Sequence, residues 1–146
     1  MGKSNKADSN VARQIAQAAI AFHEQHTGHA PASVTVVLGA DTVVVTLHEA
    51  LSPAEKSLAK SAEGAAQVQK FHRQLFHSSC EPLRLAIKRI TGVDVREALA
   101  EVEPTTGAVV QVFTTGSMVQ VFQLAQSVPA DNWSSNSKGE AVKTEV

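Results

Sequence analysis

The sequence predicts an α+β fold of order α-β-β-α-β-β, in which a four-stranded antiparallel sheet carries its helices on one face. Three observations predict it: an apolar stripe at helical spacing near the amino terminus, two hairpin patterns, and a long helical segment between the hairpins. Strands joined by short turns pair antiparallel, and such sheets commonly bury one face. We therefore expect the helices to cover that face.

Composition indicates a single domain without a strong net charge. The chain has 146 residues, 43% of them apolar and 18% charged, with a net charge of −1. This balance argues against a nucleic-acid partner and against charge-driven disorder. No apolar run is long enough to span a bilayer, no signal peptide is evident at the amino terminus, and the single Cys80 has no disulfide partner in the chain. We expect a cytoplasmic protein without direct membrane insertion.

The first predicted helix starts at Ser9 and ends before Gly28 and Pro31. Residues that would form one buried stripe recur along it every three or four positions, at Val11, Ile15, Ala18, Ala19, Phe22 and His26. Residues 1–8 are polar and have almost nothing to bury, so they are predicted to be a flexible arm.

Two hairpins supply the four predicted strands. β-Branched runs over residues 34–38 and 42–47 flank a short Gly-containing turn, as is typical of an antiparallel pair. A second pair covers residues 93–102 and 108–113, with a Pro-Thr-Thr-Gly turn at 104–107. The sheet is therefore expected to be built from local pairings joined by one long connection.

A near repeat follows the second hairpin. Val119-Gln120-Val121-Phe122 almost copies Val110-Gln111-Val112-Phe113, either by chance in a valine-rich chain or because a fifth strand or short helix lengthens the fold. The predicted domain covers residues 9–126. The polar composition of residues 127–146 predicts a disordered tail.

The segment between the hairpins, residues 53–91, is predicted to be helical with an interruption. Ser52, a following proline and Glu55 satisfy the positional demands of a capping box at its start. Pro82 lacks an N–H for the helical ladder, so a kink or break is expected near residues 78–81.

Charge is unevenly distributed along the chain. Residues 53–92 contain seven basic and three acidic side chains, and residues 93–146 contain three basic and seven acidic ones. The basic segment either faces an anion, an acidic partner or lipid headgroups, or is a solvated helix face that complements the acidic hairpin of the same chain or a dimer mate. The residues predicted to bind an anion or a partner are Ser52, Lys56, Lys60, Arg73, Arg84 and Lys88.

Metal chemistry has only weak candidates. His23 with His26, and His77 with Cys80, would each present two ligands on one helix face, and the two pairs together would make a four-ligand zinc site. Nothing in the spacing forces the pairs to meet, so half-buried or surface histidines are favoured. We expect no metal and no cofactor.

Catalytic signatures are equally thin. Cys80 near His77 suggests a nucleophile and a base, but a lone helical cysteine is usually a small buried hydrophobe. The chain has no Walker loop, no G-x-S-x-G and no G-x-G-x-x-G. The protein is expected not to be an enzyme.

Several short segments carry a family resemblance. Leu51-Ser52-Pro53-Ala54-Glu55-Lys56-Ser57-Leu58-Ala59-Lys60 precedes the long helix, and Thr27-Gly28-His29-Ala30-Pro31 ends the first one. The other matching features, in order, are Gly64, Arg73-x-Leu75, Glu81-Pro82, Thr91-Gly92-Val93 and Thr106-Gly107. Over residues 9–115 the chain resembles the MpsC family of small soluble bacterial proteins, which is named for a Na⁺-translocating membrane potential-generating system.

The resemblance implies a role in ion or inorganic-carbon uptake and membrane potential, as a soluble accessory protein. No catalytic residue is established for the family, so none is carried over. The leading hypothesis is a non-enzymatic accessory or regulatory protein that forms a homodimer and contacts a membrane transporter subunit, peripherally at the inner membrane face. The alternative is a small-anion or metabolite sensor that binds at the helix start, residues 52–60.

Overall fold

A computed structural model describes residues 2–39, 41–114 and 141–145. Within these ranges the chain forms four helices: α1 (Gly2–Thr27), α2 (Pro53–Leu58), α3 (Ala62–Ser79) and α4 (Glu81–Thr91). The strands are β1 (Ser33–Leu38), β2 (Thr42–His48), β3 (Glu97–Glu103), β4 (Ala108–Thr114) and β5 (Ala141–Glu145). The predicted α+β class and the order α-β-β-α-β-β are confirmed, with the helical segment divided into three.

The strands form one antiparallel sheet in the order β3-β4-β2-β1-β5. The register brings Val36 opposite Val45, Val45 opposite Gln111 and Gln111 opposite Ala100, so these four side chains form one row across the sheet. All four are buried. Gln111 is the polar member of this otherwise apolar row, which lies beneath the helices.

The core lies between this face of the sheet and the helices. Ile15 and Phe22 of α1, Phe76 of α3 and Ile87 of α4 pack in the same buried cluster as the alternate strand residues, including Phe113. The ring of Phe76 contacts those of Phe22 and Phe113, with centroid distances of 6.1 and 5.8 Å. The apolar stripe predicted for the first helix is therefore confirmed as its buried face.

Two terminal predictions need correction. Helix α1 begins at Gly2 instead of Ser9, so residues 2–8, predicted to be a flexible arm, continue the helix. Apolar periodicity marks only the part of a helix that packs, and a polar extension gives no such signal.

Strand β5 lies within the segment predicted to be a disordered tail and pairs antiparallel with β1. A short edge strand is held by backbone hydrogen bonds, which composition does not reveal. The near repeat at 119–122 lies outside the described residues. Strand β5, at Ala141–Glu145, is therefore a different segment from the fifth strand that the repeat suggested. The domain division at residue 126 stays a prediction.

The predicted interruption of the helical segment is confirmed, since α3 ends at Ser79 and α4 begins at Glu81, with Pro82 in its first turn. A second break, between Leu58 and Ala62, was not predicted. Ser61 caps α3 by accepting a hydrogen bond from the N–H of Gly64. A Cβ atom at Gly64 would collide with the backbone carbonyl of Leu58. This close approach of α2 to α3 therefore requires glycine.

Gly64→Ala is expected to lower the free energy of unfolding by about 1–3 kcal/mol, because the added methyl group forces the two helices apart. The sign is diagnostic, since the same substitution at an unhindered helical position typically raises stability by about 0.4–1 kcal/mol. Urea unfolding followed by circular dichroism measures the difference. A stabilised variant would contradict this account of the break between α2 and α3.

Candidate functional site

Three helices each contribute one ionisable side chain to a cluster that we call the His–Glu cluster. Its members are His23 of α1, Glu55 of α2 and His72 of α3. Nε2 of His72 lies 2.6 Å from Oε2 of Glu55. The imidazole rings of His23 and His72 lie nearly parallel, with centroids 6.0 Å apart. The side chains of His23 and His72 are only 3% and 4% exposed, so both imidazoles are buried, whereas the Glu55 side chain is 19% exposed.

Glu55 has a second role as part of the predicted capping box, which is confirmed. Its Oε1 accepts a hydrogen bond from the Ser52 N–H at 3.0 Å, and its own N–H donates to Ser52 Oγ at 3.2 Å. One oxygen of the carboxylate therefore fixes the start of α2 and the other contacts α3. The backbone N–H and hydroxyl of Ser52, a predicted anion-binding residue, are both used within the box.

Burial and hydrogen bonding act in opposite directions on Glu55. Burial alone would raise the pKa of its carboxyl, but hydrogen bonds from Ser52 and His72 outweigh it, and the pKa lies below its ordinary value. The carboxylate is therefore ionised at neutral pH.

Burial lowers the pKa of His23. Its hydrogen bond to the Ala50 carbonyl acts in the opposite direction but is outweighed. The nearby imidazole of His72 lowers this pKa further. His23 is consequently neutral at pH 7, donating through Nε2 to Ala50 and keeping Nδ1 as an acceptor.

A groove of about 450 Å³ lies over this cluster, between α2, α3 and the end of α1. We call it the α2–α3 groove, and it is lined by His26, Thr27, Ser52, Glu55, Leu58, Gln67, Val68 and Phe71. Leu58 and Phe71 both line this groove and are 48% and 49% exposed. Apolar walls with a few polar groups at the base are typical of binding sites.

The structure does not bring the predicted basic residues together at one site. Lys56 lies 3.7 Å from Glu49, Arg73 lies 2.8 Å from Glu101, and Lys88 lies 2.9 Å from Asp94. Arg84 donates to the Val95 carbonyl at 2.7 Å. Three of these contacts connect α3 or α4 to residues 94–101. Contacts within the chain are the alternative to an anion site that the sequence analysis considered.

Lys56 and Lys60 do line one feature together. Both lie along an open groove of about 520 Å³ with Glu49, Ala59 and the turn at residues 104–107. This second groove lies on another side of α2 from the α2–α3 groove, with which it shares no lining residue.

Two of the metal and nucleophile candidates, His26 and Cys80, have structural surroundings of their own. The Nδ1 of His26 contacts the Phe22 carbonyl at 2.8 Å, and Cys80 lies in the core, where burial raises the pKa of its thiol. His77 lies in the last turn of α3. Over residues 2–39, 41–114 and 141–145, no three His, Cys, Asp or Glu side chains are placed to hold a metal ion.

Two residues of the site were missed by the sequence analysis. His72 lies between Val68 and Phe76 at a spacing of four, which is a buried helical position occupied by a polar residue. Gln111 lies between Val109 and Phe113 at the alternating spacing of a strand. A polar residue in register with an apolar stripe was the available signal for both.

In the described part of the chain, no helix combines the length and the apolarity needed to cross a bilayer. The fold and the site together define a small α+β protein with a buried ionisable cluster beneath an open, partly apolar groove.

The chain belongs to the MpsC family. The family's sequence profile, described as "Na+-translocating membrane potential-generating system (MpsC)", matches residues 7–117 and confirms the resemblance drawn from the sequence. An uncharacterized protein of Bacillus subtilis (strain 168), YbcI, is 27% identical over 108 residues, which cover 74% of this chain and 87% of YbcI. No solved structure matches the chain.

Proposed function

We propose that the protein is a non-enzymatic accessory or regulatory component of a Na⁺-translocating, membrane-potential-generating or inorganic-carbon uptake system. It would act through protein–protein contacts with a membrane transporter subunit, at the cytoplasmic face of the membrane. The observation that carries this proposal is the family match over residues 7–117, since the family's description names a Na⁺-translocating membrane potential-generating system. The buried, poorly ionised thiol of Cys80 supports the non-enzymatic part.

The α2–α3 groove is the proposed contact surface. Phe71 and Leu58 expose large apolar areas on its walls, and burying such side chains against a partner supplies much of the free energy of association. Both side chains lie on helices. The capping box and the close approach of Gly64 to the Leu58 carbonyl fix the relative positions of α2 and α3. The surface is therefore prearranged for contact.

Phe71→Ser is expected to reduce the recovery of the partner at least about tenfold, because losing a central apolar contact typically costs 2 kcal/mol or more. The measurement is chemical crosslinking in intact cells at native expression level, followed by affinity capture and mass spectrometry. Leu85→Ser is the matched control, since Leu85 is 53% exposed on α4 and does not line the groove. Equal recovery with the two variants would contradict the groove as contact surface, and recovery of no transporter subunit with the unmodified chain would contradict the accessory role.

We propose further that the protein forms a homodimer. Among the described strands, β3 pairs only with β4, so its outer edge offers unpaired backbone groups of the kind that proteins cover or blunt. Sedimentation velocity over a range of micromolar concentrations measures the assembly state. A species with the mass of one chain at every concentration would contradict the dimer.

A second candidate function is a sensor of small anions or metabolites. It is favoured by the groove that Lys56 and Lys60 share, because two cations along one depression attract an anion. Titration calorimetry with bicarbonate, phosphate and nucleotides should then give heat that is lost in Lys60→Gln. No heat with any of these ligands would exclude this candidate.

A further inference from the structure

The side chain of Gln111 lies in an unusual environment. It is 2% exposed, in the buried row formed by Val36, Val45 and Ala100, and its Oε1 atom has no hydrogen-bond partner among the residues that the structure describes. A buried carbonyl oxygen without a donor is destabilising, and buried polar atoms in folded proteins almost always have a partner. A residue of the same size without polar atoms would fill the space without this penalty.

A small cavity lies beside Gln111. Its lining includes the imidazoles of His23, His26 and His72, with Phe22 and Leu75 among the apolar walls. The centre of a water molecule can occupy about 10 Å³ of it, so one water molecule fits and an organic ligand does not. His26 and Thr27 line both this cavity and the α2–α3 groove, which gives water a route of entry.

The hydrogen-bonding groups around the cavity need a donor. Nε2 of His23 already contacts the Ala50 carbonyl, and Nε2 of His72 already contacts the Glu55 carboxylate. Each imidazole therefore has only Nδ1 left for a further partner, and that atom is an acceptor in neutral His23. Gln111 and both histidines line this one cavity. A small molecule that donates two hydrogen bonds would satisfy the Oε1 of Gln111 and one of these Nδ1 atoms.

We propose that one water molecule binds in this cavity, donating one hydrogen bond to Gln111 Oε1 and the other to an imidazole nitrogen of His23 or His72. Water has two O–H donors, the right size and two or more polar partners here, which are the conditions for an ordered buried water. The water would join β4 to the His–Glu cluster. One polar network would then connect α1, α2, α3 and the centre of the sheet.

The test compares three full-length chains by ¹⁷O magnetic relaxation dispersion, which counts long-lived internal water molecules. Gln111→Met removes the orphaned acceptor at nearly constant volume, and Leu75→Met changes another lining residue without altering a polar group. We expect the unmodified chain and Leu75→Met to hold one more long-lived water than Gln111→Met. The same count in all three would overturn the proposal.

A second measurement does not depend on the folding of a variant. In the unmodified chain, nuclear Overhauser effects between water and the Gln111 side-chain amide protons are expected, and their absence would overturn the proposal. Ammonium is similar in size to water and also donates hydrogen bonds. If ammonium chloride shifts the His23 and His72 ring resonances while sodium chloride at equal ionic strength does not, the site binds a cation and the water proposal is wrong.

Discussion

His72→Leu should lower the free energy of unfolding by about 2–4 kcal/mol. The substitution removes a buried imidazole and leaves Oε2 of Glu55 without the 2.6 Å contact that His72 provides. A hydrogen bond to a charged group typically contributes about 1.5–3 kcal/mol, and a buried charged group that loses its partner costs more. Glu55 keeps its hydrogen bond from Ser52 and its side chain is 19% exposed, which limits the loss.

Chemical unfolding in urea at pH 7.5 measures this loss. His77→Gln is the matched control, since it changes an exposed histidine near the end of the same helix and should alter stability by less than about 0.5 kcal/mol. His72→Gln keeps a hydrogen-bond donor and should recover part of the lost stability. If His72→Leu were as stable as the control, the contact between Glu55 and His72 would contribute nothing to the fold.

Acidification is expected to destabilise the protein in two stages. The pKa of His23 is lower in the folded chain than its ordinary value of 6.5, so the unfolded chain binds more protons once the pH falls through that value. The stability that neutral His23 contributes is therefore fully present above pH 6.5 and declines as the pH falls toward the folded pKa. The folded pKa of Glu55 lies below its ordinary 4.5, so its contribution is present above that pH and is lost as the pH falls through the folded value.

A series of urea unfolding curves from neutral to acidic pH tests the assignment. His23→Leu removes the first titrating group and should flatten the dependence of unfolding free energy on pH as the pH falls below about 6.5. The second, more acidic stage should remain, because Glu55 is intact. A chain whose stability rises on acidification, or a His23→Leu variant with an unchanged profile, would contradict the buried neutral state of His23.

Local sequence signals predicted much of the fold. The capping box at Ser52 and Glu55 and the break before Pro82 depend on residues within a few positions of each other, and both are confirmed. The two predicted hairpins pair as expected because each has its own turn. In each case the determinant and the structure it determines are neighbours in the chain.

Features that depend on distant residues were not predicted. The contact between Glu55 and His72 joins residues seventeen positions apart, and it exists only because the break before Ala62 folds α3 back against α2. Gln111 of β4 lines the same cavity as His23 and His72, which no local pattern encodes. The basic residues were predicted to share one surface because they are close in the sequence. In the fold, four of them instead contact four different partners.

The two levels of the site have distinct roles in this account. The His–Glu cluster connects α1, α2 and α3, and the α2–α3 groove, lined by Phe71 and Leu58, is the proposed surface for a partner. Changes in the cluster should therefore alter stability first, and changes on the walls of the groove should alter association without altering stability. Comparing unfolding and capture for the same variants separates the two.

Site-specific photocrosslinking in living cells tests the proposed contact most directly. A photoreactive phenylalanine analogue is placed at position 71 in one chain and at position 85 in another, and the crosslinked proteins are identified by mass spectrometry. The account predicts that position 71 crosslinks a subunit of a membrane ion or inorganic-carbon transporter and that position 85 does not. Absence of any transporter subunit from position 71, or equal crosslinking from both positions, would contradict a partner contact at the α2–α3 groove.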